Sequence, residues 1–232
     1  MVKRWILGHV NVDPDAPILW LYGSAGAGKS CVARSIAEWC EEEGLLLASF
    51  FFFRSDSTRN NIRHFIPTVA YNITQTIPST LSSIALAVES DPHIFSKSLD
   101  VQFRRLVLEP LSSAPRSNNS RASVLIIDGL DECLKEDEQK AILRLFAKDR
   151  HLGMKVLVAS RPEQAIRTSF DDTPMQRLHT RVDLGTYIAH EDVGLFLVDK
   201  FAGIIVGRPS SQITGLPIKT LSFLTMMAML MI

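Results

Sequence analysis

Gly23-Ser24-Ala25-Gly26-Ala27-Gly28-Lys29-Ser30 decides how this chain is read. The stretch fits G-x-x-x-x-G-K-[ST] at every fixed position. Just before it, Ile18-Leu19-Trp20-Leu21-Tyr22 is a short apolar run of the kind that forms a buried strand. Just after it, Val32, Ala33, Ile36 and Ala37 recur at helical spacing. Strand, glycine loop and helix in that order predict a backbone that wraps an anion. Glycine allows the tight turn and lets main-chain N–H groups come close. The helix opening near Lys29 adds its unsatisfied N–H groups and the positive end of its dipole. The Lys29 ammonium reaches β- and γ-phosphates as a point charge, and the Ser30 hydroxyl is placed to ligate Mg²⁺. Gly23, Ser24, Ala25, Gly26, Ala27, Gly28, Lys29 and Ser30, with Cys31 after them, are the predicted nucleotide contacts. The alternative, a glycine-rich turn with a chance Lys-Ser, is disfavoured by the flanking elements.

Composition narrows the class. The 232 residues suit one large α/β domain and little more. Lys+Arg 25 balance Asp+Glu 25, so no global field favours nucleic acid or an anionic membrane. Three cysteines, Cys31, Cys40 and Cys133, are too few and too scattered for a disulfide framework or a thiolate zinc site. Cys31 and Cys40 fall on the first helix and are expected as small core residues. The histidines show no metal-binding spacing. No signal-peptide pattern opens the chain, which predicts a reducing, cytoplasmic compartment in which Asn72-Ile73-Thr74 and Asn118-Asn119-Ser120 carry no glycan. The apolar run from Leu221 to Ile232 falls short of the roughly 20 residues that span a bilayer. It reads as the start of a core helix without its packing partners.

Along the chain, residues 1–17 form a lead-in, with Trp5 and Ile6 packing on the sheet edge. The first helix ends near Gly44, and Glu41, Glu42 and Glu43 form a solvated face. Leu45 to Phe53 is a near-continuous apolar run, as expected for a parallel strand covered on both sides. Arg54 and Arg59 follow at the carboxyl end of that strand, where ligands lie in open α/β sheets. Each is either a phosphate contact or a surface arginine. Asn60–Thr76, Pro78–Val88 and Leu99–Leu111 read as helices, with Pro67 kinking or breaking the first. Residues 112–123 read as a flexible loop.

Val124-Leu125-Ile126-Ile127-Asp128 is an apolar strand ending in an acid. Within one α/β unit, after a phosphate loop, that acid is expected to hold Mg²⁺ together with Ser30. Asp131 and Glu132 place further carboxylates near a γ-phosphate. Glu132 is the candidate to orient or deprotonate the attacking water; for both acids the alternative is to cap the next helix, from about Lys135 to Lys148. Met154–Ala159 is the fourth strand. Arg161 at its carboxyl end either senses a γ-phosphate and stabilises transition-state charge, or pairs with Asp128 or Asp131. A helix opens at Pro162-Glu163, Met175–Leu184 supplies a fifth strand, and His190–Val206 an amphipathic helix.

GSAGAGKS, then VLIIDGLDEC, then VLVASRPE resembles the NACHT group of signal-transduction NTPases, and within it the nephrocystin-type domains of fungal receptors for nonself recognition and cell death. The resemblance runs from about Ile18 to about Phe201. It implies a three-layer α/β/α P-loop NTPase with a mainly parallel five-stranded sheet of order 5-1-4-3-2, spanning 18–206, with 207–232 as a loop and an orphan apolar segment. It further implies Arg161 as sensor arginine, ATP or ADP with Mg²⁺ as ligand, and a closed ADP form that gives way to a self-associating ATP form. Almost nothing precedes Trp5, and the resemblance stops after Arg208; on that reading the chain is a shortened relative of such receptors.

Several functions fit a phosphate loop. A switch module with slow Mg²⁺-dependent ATP hydrolysis is the leading expectation. A small-molecule kinase needs an arginine-rich lid, and Arg116 and Arg121 in a Ser/Asn-rich loop are poor material for one. A GTPase needs an N-K-x-D-type stretch, which the sequence lacks. A non-hydrolysing module that nucleotide merely stabilises stays open, since bound ligand adds a few kcal/mol to a fold when it greatly exceeds its Kd.

Overall fold

In a computed structural model, residues 1–8, 16–115, 123–148 and 153–186 are described. The amphipathic helix expected at His190–Val206 and the apolar run Leu221–Ile232 lie outside these residues, as does most of the loop at 112–123. The described residues belong to a compact unit, Met1–Thr186. None of their helices is long and apolar enough to cross a membrane.

A five-stranded parallel sheet carries the unit. Its strands are β1 (Ile18–Tyr22), β2 (Leu46–Phe51), β3 (Val124–Asp128), β4 (Lys155–Ser160) and β5 (His179–Asp183). They lie in the order β2-β3-β4-β1-β5, which is the expected 5-1-4-3-2 read from the other side, and every pairing is parallel. The near-continuous apolar runs have a plain cause: alternate side chains feed two different cores. Leu19, Leu21, Val124, Ile126, Leu157 and Ala159 point to one face, with α1 (Val2–Ile6) and α2 (Lys29–Glu42). Ile18, Trp20, Leu125, Ile127, Val156 and Val158 point to the other. There they meet α3 (Phe65–Thr76), α4 (Leu81–Ser90), α5 (Leu99–Phe103), α6 (Glu109–Ser113), α7 (Glu136–Lys148), α8 (Gln164–Asp171) and α9 (Thr173–Gln176).

Several expectations need adjustment. Trp5 and Ile6 are buried on a sheet face, not at its edge. The Trp5 indole donates to the Ala16 carbonyl at 3.1 Å, and the Lys155 ammonium donates to the Trp5 carbonyl. Cys31 is exposed and is no core residue. The buried stripe of α2 runs through Ala33, Ile36, Ala37 and Cys40, and position 31 points away from it. Pro67 does not kink α3, because it sits in the first turn, where its missing N–H is not needed. The helix expected over Leu99–Leu111 is α5 and α6 joined by a π-helical turn, Arg104–Leu108, with Phe103, Leu106 and Val107 buried as expected. Met175 belongs to α9, and the fifth strand begins only at His179.

Gly44 ends α2 with φ 66, donating to Glu41, while the Leu45 N–H reaches back to the Cys40 carbonyl at 2.7 Å. That paired closure reverses the chain directly into β2.

Candidate functional site

The strands β1, β3 and β4 end at one level: Tyr22 pairs with Ser160, and Asp128 with Ala159. The site forms beyond these carboxyl ends. Gly26 and Gly28 take φ of 77 and 84, values an L side chain rarely adopts, and Gly28 immediately precedes α2. Gly23 is required for another reason: a Cβ there would meet the Ala27 Cβ at 3.2 Å and the Leu184 Cβ at 3.4 Å. The Lys29 ammonium donates to the carbonyls of Gly23 and Ser24, at 2.9 and 2.7 Å, closing the loop across its own mouth.

Asp128 closes β3 at the carboxyl end of the sheet. It is 4% exposed at the end of β3, with the Ser30 hydroxyl and the Gly129 N–H beside its carboxylate. Burial pushes its pKa above the ordinary value of 3.8, these two donors pull it down, and Glu132 and Asp131 push it up again. Its Oδ1 is buried without a hydrogen-bond partner. A buried carboxylate oxygen left over beside a serine hydroxyl could hold a hard divalent cation such as Mg²⁺, which takes oxygen donors.

Lys29 senses the same cluster. Burial draws its ammonium below the ordinary lysine value of 10.5; Asp131 opposes this most strongly, Arg161 adds to it, and Asp128 and Glu132 oppose it more weakly.

After Asp128 the chain turns through Gly129, with φ 67, into a 3₁₀ turn, Leu130–Glu132. A Cβ at Gly129 would sit 3.0 Å from the Phe52 carbonyl oxygen. Asp131 is buried and holds Arg161 twice: its Oδ1 accepts the Arg161 N–H at 2.9 Å, and its Oδ2 lies 3.3 Å from Nε. The pairing weighed from sequence therefore exists, and Asp128 is not the arginine's partner. Glu132 is half-buried, and its Oε2 accepts the main-chain N–H of Arg54 at 2.9 Å. The Arg54 guanidinium donates to the Asp131 carbonyl at 3.0 Å. Arg59 is directed elsewhere, with its Nε on Asp56 at 2.7 Å and its guanidinium over the Phe53 ring. Cys31 stands on the first turn of α2, next to Ser30.

Sequence reasoning missed two participants. Asn60 donates to the Arg54 carbonyl at 3.2 Å, and its own carbonyl accepts the Leu134 N–H at 2.9 Å. Leu184, just beyond β5, donates its N–H to the Tyr22 carbonyl at 2.8 Å and packs against Gly23. Only a polar residue close after a strand's carboxyl end could have pointed to Asn60. Nothing local singles out Leu184.

The family model described as Nephrocystin 3, N-terminal, matches residues 2–161. The chain belongs to that family. This nephrocystin-type chain has the three-layer P-loop NTPase fold, and the match begins within α1, ahead of β1. A search of curated proteins returned no match. Among solved structures, a dimeric bacterial ABC transporter cassette is similar at 12% identity over 76% of this chain and 84% of its own, with a TM-score of 0.35. The cytoplasmic domain of the type VII secretion ATPase EccC of Thermomonospora curvata is similar at 18% identity, over 73% of this chain and 19% of its own, also with a TM-score of 0.35. At that score neither likeness bears on what this nephrocystin-type chain binds or does.

Proposed function

We propose that the chain is the ATP/ADP-binding module of a cytoplasmic signal-transduction switch of NACHT type, with slow Mg²⁺-dependent ATP hydrolysis and self-association through the NTPase domain. The observation that carries this reading is the buried Asp128 carboxylate, set beside Ser30 at the mouth of the glycine loop, with an Oδ1 that has no hydrogen-bond partner. In this reading the main chain from Gly23 to Cys31 cradles the phosphates, and Lys29 leaves the loop carbonyls to take a phosphate oxygen. Ser30 and Asp128 hold Mg²⁺, which neutralises phosphate charge when bound. Glu132 orients the attacking water or accepts its proton. Arg161 meets the terminal phosphate, with Asp131 fixing its reach.

One observation favours a second reading. Arg161 is already paired with a buried acid, as it would be in a module that binds nucleotide without turning it over. Two measurements separate the readings. Nucleotide co-purifying with the chain is identified by chromatography after denaturation, with and without Mg²⁺; ADP supports the switch, and absence of any nucleotide together with no measurable affinity overturns both. Glu132→Gln is expected to keep ATP affinity within about threefold while lowering phosphate release by about 100-fold. A variant that hydrolyses at the parent rate removes Glu132 from the mechanism.

A further inference from the structure

We propose that Arg54 is a positioning residue for Glu132, acting across the sheet from the end of β2. The inference rests on the proposed role of Glu132 in hydrolysis and goes beyond it, because the sequence alone offers Arg54 only as a phosphate contact or a surface arginine.

The turn that carries the two acids has few contacts of its own. From Gly129 to Leu134 its internal main-chain bonds are Glu132 N–H to Gly129 at 2.7 Å and Cys133 N–H to Leu130 at 3.2 Å. A glutamate side chain on a single 3₁₀ turn has several rotamers available, and general-base work needs one of them held within hydrogen-bond reach of the water. The restraint comes from the segment following β2. The Phe52 N–H donates to the Asp128 carbonyl at 2.9 Å, setting the level of the two chains. Two residues on, the Arg54 N–H takes Glu132 Oε2, while its guanidinium takes the Asp131 carbonyl on the peptide just before. One residue thus grips both the carboxylate and the backbone that carries it. A charged acceptor makes the first of these the stronger.

Arg54 is fixed in turn. The Asn60 side-chain amide holds its carbonyl, and the Asn60 carbonyl holds Leu134, so the segment from Arg54 to Asn60 clasps the acid turn at both ends. With Oε2 engaged by Arg54, Oε1 is the oxygen this scheme leaves to the attacking water. Neither Arg54 nor Asn60 touches substrate in this scheme; both act through Glu132.

A double-mutant cycle with ATP turnover as the readout tests this. Arg54→Ala keeps the main-chain N–H on Oε2 and removes the guanidinium bond that holds the Asp131 carbonyl and so the backbone carrying Glu132; it is expected to lower kcat about tenfold and leave ATP affinity within about twofold, with Arg54→Lys recovering part of the loss. In the Glu132→Gln background, Arg54→Ala is expected to have no further effect on kcat, because what it positions is already gone. An arginine that merely stabilises the loop would lower kcat by the same factor in both backgrounds, and that result overturns the proposal. So does a loss confined to KM, which would make Arg54 a phosphate contact. Where Arg54→Ala lowers the melting temperature, Asn60→Ala supplies the second variant, with the same dependence on Glu132 expected. If Glu132→Gln is slow while Arg54→Ala turns over at the parent rate, the positioning role fails and the role of Glu132 stands. If Glu132→Gln turns over at the parent rate, both fail.

Discussion

The phosphate loop and the acid turn face each other across the same site and are shaped by different means. The loop is local. Its course follows from two glycines at positive φ, the helix that starts after it, and Lys29 reaching back to its own carbonyls. The acid turn is shaped from a distance: Arg54 and Asn60 hold it on one side, and Arg161 on the other. An anion cradle can therefore be encoded in a few consecutive residues, whereas a set of carboxylates crowded near one another has to be held by outside partners.

The largest expected effect tests the local side. Lys29→Ala should weaken ATP binding by about a thousandfold, roughly 4 kcal/mol, since it removes a charge-assisted contact to phosphate. If the glycines shape the loop, the melting temperature should stay within about 2 °C of the parent. A large thermal loss would mean that the lysine bonds, more than the glycines, hold the loop in shape, which would move the weight within the local side of the comparison.

Next comes a pair of glycines. Gly28→Ala meets no atom within 4 Å and carries only conformational strain, so it should cost about 1 kcal/mol. Gly129→Ala adds a backbone oxygen at 3.0 Å to a similar strain and should cost about 2–3 kcal/mol, or very roughly 4–12 °C in a domain of this size. Thermal unfolding of the two variants side by side checks the order; equal losses would show that the turn is no more dependent on its neighbours than the loop.

The smallest effect concerns β5, which brings Leu184 against Gly23 at the start of the phosphate loop. His179 at the start of that strand hydrogen-bonds through Nδ1 to the Met175 carbonyl at 2.7 Å, and its Nε2 accepts from Arg181 Nε at 2.9 Å. Only the neutral ring satisfies both. Burial lowers its pKa from 6.5; Arg181 lowers it further, against the Met175 carbonyl and Asp171. The unfolded chain therefore takes up a proton that the folded ring refuses. This contribution to stability is complete above about pH 6.5 and is lost as the pH falls through the depressed folded value. Melting temperatures measured from about pH 7 to pH 5 should fall about 1–2 °C more in the parent than in His179→Gln. Parallel curves would remove His179 from the account.

The same contrast explains what the sequence disclosed. The sheet order followed from the resemblance, and β3 could be bounded to the residue, because an unbroken apolar run closing on an acid is a local pattern. Asp128 beside Ser30 was legible for the same reason. Arg161 was placed at a strand end but could not be assigned to Asp131 over Asp128, since that choice depends on the turn at Gly129. Cys31 was misplaced because lying on the helix was read as lying on its buried face, and the stripe Ala33, Ile36, Ala37 and Cys40 runs along another side. Arg54, Asn60 and Leu184 owe their roles to partners far away in the chain, and no periodicity records such pairs.

The exposure of Cys31 has a practical side. Cys40 and Cys133 are buried, and burial raises their thiols to about 11 and about 12, so neither offers much thiolate near neutral pH. A maleimide dye applied to the folded chain should therefore attach at a single point, next to Ser30 in the first turn of α2. No residue has to be engineered to obtain an optical reporter of what enters the loop.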